Sequence, residues 1–194
     1  MTLALRARPA RRYAAAVRSA GGVGRSRGAY AERVSDALRR QTGPDLSRRR
    51  AAVALSLVSI AALGVVEAYQ TGLVRHLPEP SLPGLDADRV DASGEAYQLF
   101  GTPDAGLGIA SYGATLALLG AGTSERAAER PWLVLAAAAK VAADAVGGGY
   151  LFAEQVSRHR RVCSWCTLAP AASAATVPLV VPEARRAWRQ LLRG

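Results

Sequence analysis

Cysteine is scarce in this chain of 194 residues, which holds Cys163 and Cys166 and no others. Histidine is as scarce, with His76 and His159 alone. A tetrahedral zinc site needs four ligands of this kind, so no metal is expected. Aromatic residues make up only 6%, yet 50% of the chain is hydrophobic. That content excludes a disordered chain without by itself establishing a membrane protein. Acidic residues are nearly missing from the first quarter. Thirteen arginines face only Glu32, Asp36 and Asp45 in residues 1–50 and account for the whole net charge of +10. Such a segment suits nucleic acid or an anionic lipid surface. An early apolar run is also lacking. The first long one begins at residue 51 and is about twice as long as a signal-peptide core, so it reads as an uncleaved signal anchor.

That run, residues 51–74, follows Arg48, Arg49 and Arg50 directly and carries Glu67 as its only charge. At about 1.5 Å per residue it is long enough for a hydrocarbon core of roughly 30 Å. Its position makes lipid, and not nucleic acid, the expected partner of the basic tail. Residues 105–124 and 162–182 hold no charge at all, and residues 131–153 hold only Lys140 and Asp144. A soluble Ala-rich bundle is the competing reading, but soluble helices expose a polar face and the two uncharged runs have none. The prediction is an all-α, integral membrane four-helix bundle over residues 51–182. A basic, mobile tail over residues 1–50 precedes it, with an amphipathic helix around 29–40, and a basic tail over 183–194 follows.

Lys140 and Asp144 stand four apart and share a helix face. They form either an ion pair turned into the bundle or part of a proton path, and the sequence does not separate the two. Counting arginines in the flanks puts 19 on the side of the N-terminus and five on the other. Cytoplasmic flanks hold the excess, so both termini are expected in the cytoplasm. The basic connector Ser157 to Arg161 opposes this locally. The longer outside connector, residues 75–104, supports it with six acidic residues against two arginines. Pro78, Pro80, Pro83 and Gly84 break any helix at the start of that connector, and a short helix is expected near Ala96 to Phe100.

Cys163 and Cys166 lie three apart at the outer end of the fourth apolar run, so both thiols meet across one helical turn. A helix N-terminus stabilises a thiolate there, and Arg158, Arg160 and Arg161 just upstream are expected to add to this. A thiolate is the attacking species in disulfide exchange. The alternative is two thiols packed as small apolar side chains.

Three stretches add context: QLFGTPDAGLGIASYG over residues 98–113, Tyr150-Leu151-Phe152, and Val162-Cys163-Ser164-Trp165-Cys166-Thr167-Leu168. In order and separation they resemble the bacterial branch of the vitamin K epoxide reductase family over roughly residues 51–182. The resemblance implies a thiol:quinone oxidoreductase built on a four-helix bundle that embeds a quinone. In such proteins the second cysteine of the pair, here Cys166, faces the quinone and forms an adduct with it, while Cys163 exchanges with an incoming thiol. Phe100 and Trp165 are implied to pack on the ring. Asp104 stands where some relatives place a hydrogen-bonding group for a quinone carbonyl, or else serves as a helix N-cap. Pro170 replaces a Tyr that certain relatives use, so menaquinone and ubiquinone are not distinguished. Full-relay members carry a second cysteine pair in the first outside loop, and residues 75–104 have none. An extracytoplasmic thioredoxin-like dithiol protein must then reach Cys163 directly. A scaffold that keeps only the fold, and a redox-responsive binding protein, remain as alternatives.

Overall fold

A computed structural model describes residues 28–193 in two units, one ending at Gln41 and the other starting at Thr42. The first 27 residues of the expected mobile tail lie outside the described residues. In the first unit, helix α1 spans Ala29–Arg40, where the sequence pattern predicts one. Glu32 in its first turn and Arg39 and Arg40 in its last complement the helix dipole. Arg40 reaches Asp36 at 3.5 Å.

The second unit is mainly helical, with irregular connectors and a single β-bridge between Leu85 and Val162 among the described residues. It contains α2 (Pro44–Gln70), α3 (Ala87–Asp91), a 3-10 turn at Gly94–Tyr97, α4 (Asp104–Gly120) and α5 (Arg126–Glu129). Helix α6 (Pro131–Glu154) follows, then a π-turn at Gln155–His159 and α7 (Ser164–Leu191). Among the described residues three helices are long and apolar enough to cross a membrane: α2, α6 with its π-turn, and α7. Helix α4 has 17 residues, about 26 Å at the usual rise, which puts it at the short limit of a span.

The helix ends differ from the expected spans for local reasons. Helix α2 begins at Pro44, with proline in the first turn where its missing N–H costs nothing, so Arg48, Arg49 and Arg50 lie inside it. Helix α4 stops at Gly120, short of the expected 124, because two arginines take over its terminal carbonyls. Arg126 donates to the carbonyls of Leu118, Leu119 and Ala121 at 2.8, 3.2 and 3.0 Å. Arg49 donates to those of Gly120, Gly122 and Thr123 at 3.3, 3.0 and 3.0 Å. Those of Leu118, Leu119, Gly120 and Ala121 are the orphan acceptors of a helix C-terminus, and those of Gly122 and Thr123 belong to the turn that follows. Helix α7 runs to Leu191 and not to 182, because Glu183 is held there by a forked ion pair with Arg126, both contacts 2.8 Å. Arg186 pairs with Asp45 one turn further on.

Antiparallel helices α2, α4, α6 and α7 pack around two apolar clusters, with α7 lying against both α2 and α6. Ala52, Leu119, Ala137, Val141 and Val180 form one, and Val66, Leu77, Ala87, Val90, Ala105 and Cys163 the other. Small residues allow the close approach that membrane helices rely on. A Cβ added to Gly148 of α6 would fall 2.8 Å from Pro170 Cβ and 3.2 Å from its Cα on α7. Between the clusters, Asp144 on α6 accepts from Lys140, from Ser111 at 2.8 Å and from Thr115. Lys140 also donates to Ser111 at 2.8 Å. The Lys140–Asp144 pair thus faces α4 and is turned into the bundle.

Candidate active site

Residues 71–103 fold over the end of the bundle where α7 begins. Tyr97 donates to the Gln70 carbonyl at 2.9 Å and Tyr69 to the Asp88 carbonyl at 3.2 Å. Asp88 accepts from the Leu77 N–H at 2.8 Å and meets His76 Nδ1 at 2.8 Å. Burial pushes the Asp88 carboxyl up, but the Leu77 N–H and His76 outweigh it and leave it below the ordinary value. Glu79 ties the cap to α7, because its two oxygens accept the Ala87 N–H at 2.7 Å and the Ser164 N–H at 2.6 Å. The expected short helix near Ala96 to Phe100 is the 3-10 turn, two residues earlier.

The helix N-terminus is thereby answered from within the chain. Cys163 is the N-cap of α7, and its sulfur accepts the Cys166 N–H at 3.1 Å. Gln155 accepts the Cys163 N–H at 3.0 Å. Both cysteines are free thiols. Cys163 is fully buried among Val66, Leu77, Ala87 and Val90. Cys166 is partly buried, and its thiol donates to Asp91 Oδ1 at 2.9 Å. The two sulfurs and an Asp91 oxygen all lie within 4.8 Å of one another.

Asp91 is the residue that sequence reasoning missed. In the sequence it is one of six acidic residues of the connector 75–104, whereas it is 3% exposed at the C-terminal end of α3. Burial raises its pKa, the two thiols pull it down, and Asp104 and Glu79 add to the rise. The influence expected of Arg158 needs correction. Arg158 is engaged by Glu95 at 3.0 Å and Glu154 at 3.2 Å, and the charged side chain that touches the thiols is a carboxylate.

A cavity of about 280 Å³ opens beside Cys166. Its apolar walls include Leu63, Val66, Val90, Leu151 and Ala169, and its polar positions include Asp91, Asp104, Ser111, Tyr112 and Asp144. Cys166 lines it and Cys163 does not. Asp104 lines it as the first residue of α4, with Pro103 in the cap position, and accepts from Gln70 at 2.7 Å. The N-cap alternative for Asp104 is therefore shifted by one residue.

Phe100 and Trp165, implied to pack on a ring, do not line this cavity. Phe100 is 90% exposed, in a turn where it and Gly101 both adopt positive φ. Trp165, the residue before Cys166, leaves the cavity face of α7, and its Nε1 donates to the Pro78 carbonyl at 2.8 Å. Pro170 does line the cavity. Tyr112, which the sequence offers within the QLFGTPDAGLGIASYG stretch without a role of its own, is buried on the cavity wall and donates a long 3.5 Å bond to the Ala169 carbonyl. Such an arrangement suits a flat apolar molecule with polar ends that exchanges electrons with the nearer sulfur.

A family model described as the vitamin K epoxide reductase family matches residues 50–181. No curated protein and no solved structure matches the chain.

Proposed function

The chain belongs to the vitamin K epoxide reductase family, whose chemistry is in general that of a membrane thiol oxidoreductase, and on that premise we propose that it is a thiol:quinone oxidoreductase supporting extracytoplasmic disulfide formation. The asymmetry of the cysteine pair carries this reading, because Cys166 lines the cavity while Cys163 stands behind it under the cap. A dithiol partner resembling thioredoxin attacks Cys163 of the disulfide. The pair, once reduced, passes its two electrons to the acceptor through Cys166. Quinone would supply the two-electron sink, and the cavity residues suit it: apolar walls for the ring, with polar groups such as the Tyr112 hydroxyl at the wall for its carbonyl oxygens. Trp165 and Phe100 take no part in holding the ring, and Asp104 borders it.

Helix α4 acts as the fourth span, both termini face the cytoplasm, and the cysteine pair lies near the outer face. The basic tail rests on anionic lipid. The thioredoxin-like partner needs access to Cys163, which is 0% exposed, so the connector carrying Leu77 and Glu79 must move aside. That burial, with the absence of loop cysteines, is what favours the second reading, a membrane scaffold that has kept the fold without the relay.

The test is to purify wild type, Cys163→Ser and Cys166→Ser and follow reduction of a soluble quinone by a small dithiol. Wild type is expected to form quinol and neither variant to do so. Equal quinol formation by all three, or none by wild type, would favour the scaffold. Maleimide labelling of the reduced thiols from the cytoplasmic side alone would invert the proposed topology.

A further inference from the structure

The thiol closest to the cavity hands its hydrogen bond to a buried carboxylate. We propose that Asp91 is a catalytic residue of this site, the group that takes the Cys166 proton when the pair is oxidised and returns one when it is reduced. The inference rests on the thiol oxidoreductase reading above.

Three observations carry it. Asp91 Oδ1 accepts from the Cys166 thiol at 2.9 Å, so it touches the reacting sulfur. Its other oxygen, Oδ2, is buried with no hydrogen-bond partner among the described residues. A carboxylate oxygen left this way in a native fold costs stability unless something else uses it. Finally, Asp91 itself lines the cavity that Cys166 lines. A proton received at Oδ1 is therefore held by a side chain that borders the cavity where an electron acceptor is reduced. Asp88, three residues earlier, is already used up by Leu77 and His76. Two neighbouring acids of one short helix thus have different tasks.

The protons and electrons balance. When an external dithiol reduces the Cys163–Cys166 disulfide, that S–S bond breaks, the partner's forms, and two electrons and two protons arrive. Asp91, starting as carboxylate, takes one of the dithiol's two protons and relays it to Cys166 as the leaving sulfur. On reoxidation the two sulfurs lose two electrons and two protons to a quinone, giving the quinol and restoring the disulfide. Asp91 carries the proton from Cys166 and returns to carboxylate. Burial among like charges keeps its carboxyl protonated to higher pH than an ordinary aspartate, which suits a group that must both give and take a proton.

The charged and titratable groups facing Asp91 come from every side. They are Glu79 from the cap, Tyr69 from α2, Asp104 from α4, and Cys163 and Cys166 from the start of α7. The π-turn packed against α3 brings Arg158 and His159, both paired with Glu95.

The test compares the full chain with Asp91→Asn and Asp91→Glu. Quinol formation at neutral pH is expected to fall by at least about tenfold in Asp91→Asn, within the usual worth of general acid–base catalysis, and to recover in part in Asp91→Glu. A second readout needs no quinone. In a Cys163→Ser background, alkylation of Cys166 by iodoacetamide is followed against pH. A thiol and carboxyl that titrate as a pair give two inflections, and Asp91→Asn should leave one. A rate within twofold of wild type together with an unchanged alkylation profile would overturn the proposal. If Asp91→Asn does not fold, infrared difference spectra of the wild-type chain between disulfide and dithiol states decide instead. A carboxyl band that changes with redox state supports the role, and none overturns it. Should wild type reduce no quinone while the alkylation profile still responds to Asp91, the quinone reading falls and the coupling stands.

Discussion

The sulfur of Cys163 accepts the backbone N–H of Cys166 at 3.1 Å, so one cysteine of the pair caps the helix that carries the other. The two thiols are thereby given unequal surroundings by a single local bond. One is locked into the backbone under an apolar cover, and the other is left at the cavity wall with its hydrogen on a carboxylate.

That cap separates two substitutions at Cys163. Serine keeps an acceptor at the N-cap, whereas alanine removes it at a cost of about 1 kcal/mol. Thermal unfolding in detergent should rank wild type and Cys163→Ser close together, with Cys163→Ala clearly lower. Mixed disulfides add a functional arm. Offered a partner in its disulfide form, Cys166→Ser should trap it as a mixed disulfide at Cys163 with release of the partner's other thiol, and Cys163→Ser should trap none.

Asp91 is expected to cost the fold stability at neutral pH. In the unfolded chain it ionises near the ordinary aspartate value of about 3.9. In the folded chain burial raises that value, so its contribution to stability is fully present below the ordinary range and is lost as pH rises through the folded value. Asp91→Asn should therefore unfold at a temperature equal to or above wild type at pH 7, with the gap closing toward about pH 4. A wild type that gains on the variant between those two pH values would contradict this.

Asp88 behaves oppositely. Its folded value lies below the ordinary one, with the Leu77 N–H and His76 outweighing burial, so its support of the cap is present at neutral pH and fades as acid protonates it. Asp88→Ala should loosen the cap over Cys163. Faster alkylation of Cys163 in a Cys166→Ser background measures this, and an unchanged rate would argue that the cap is held elsewhere.

At the far end of the bundle, Arg126 and Glu183 are buried together, 1% and 7% exposed. Removing one partner, as in Glu183→Leu, should cost about 3–5 kcal/mol by stranding a charge, while replacing both with apolar residues should restore much of the loss. A thermal melt of the single and double variants separates the two. Arg126→Met alone should also uncover the terminal carbonyls of α4.

Adjacent glycines on α6 should answer differently to the same change. Gly148→Ala forces its Cβ to within 2.8 Å of Pro170, and overpacking of this kind costs about 1–3 kcal/mol. At Gly149 the same Cβ meets nothing within 4 Å, so alanine there should be neutral or stabilise by up to about 1 kcal/mol through helix propensity. Equal melting of the two variants would mean that α6 and α7 do not approach closely at Pro170.

Much of the architecture was legible before any coordinates. Uncharged runs of about 20 residues are strong signals because hydrocarbon tolerates so little else, and prolines and glycines marked where the cap must break from helix. The cysteine pair was equally plain, since its spacing alone brings two thiols to one turn. Lys140 and Asp144 could be paired from a separation of four. Helix ends were less readable. They depend on distant partners, as when Arg49 and Arg126 close α4 or Glu183 extends α7.

The sequence by itself thus determined the helices, the family motifs and the cysteine pair, because each rests on local composition or periodicity. Only the tertiary structure decided which side chains surround that pair. Phe100 and Trp165 are near it in sequence or motif and yet lie off the cavity, whereas Asp91, 75 residues before Cys166, touches its sulfur. An acid in a connector looks the same in sequence whether water or a thiol stands beside it. Folding of the connector over the bundle end makes the difference, by burying Asp91 against Cys166.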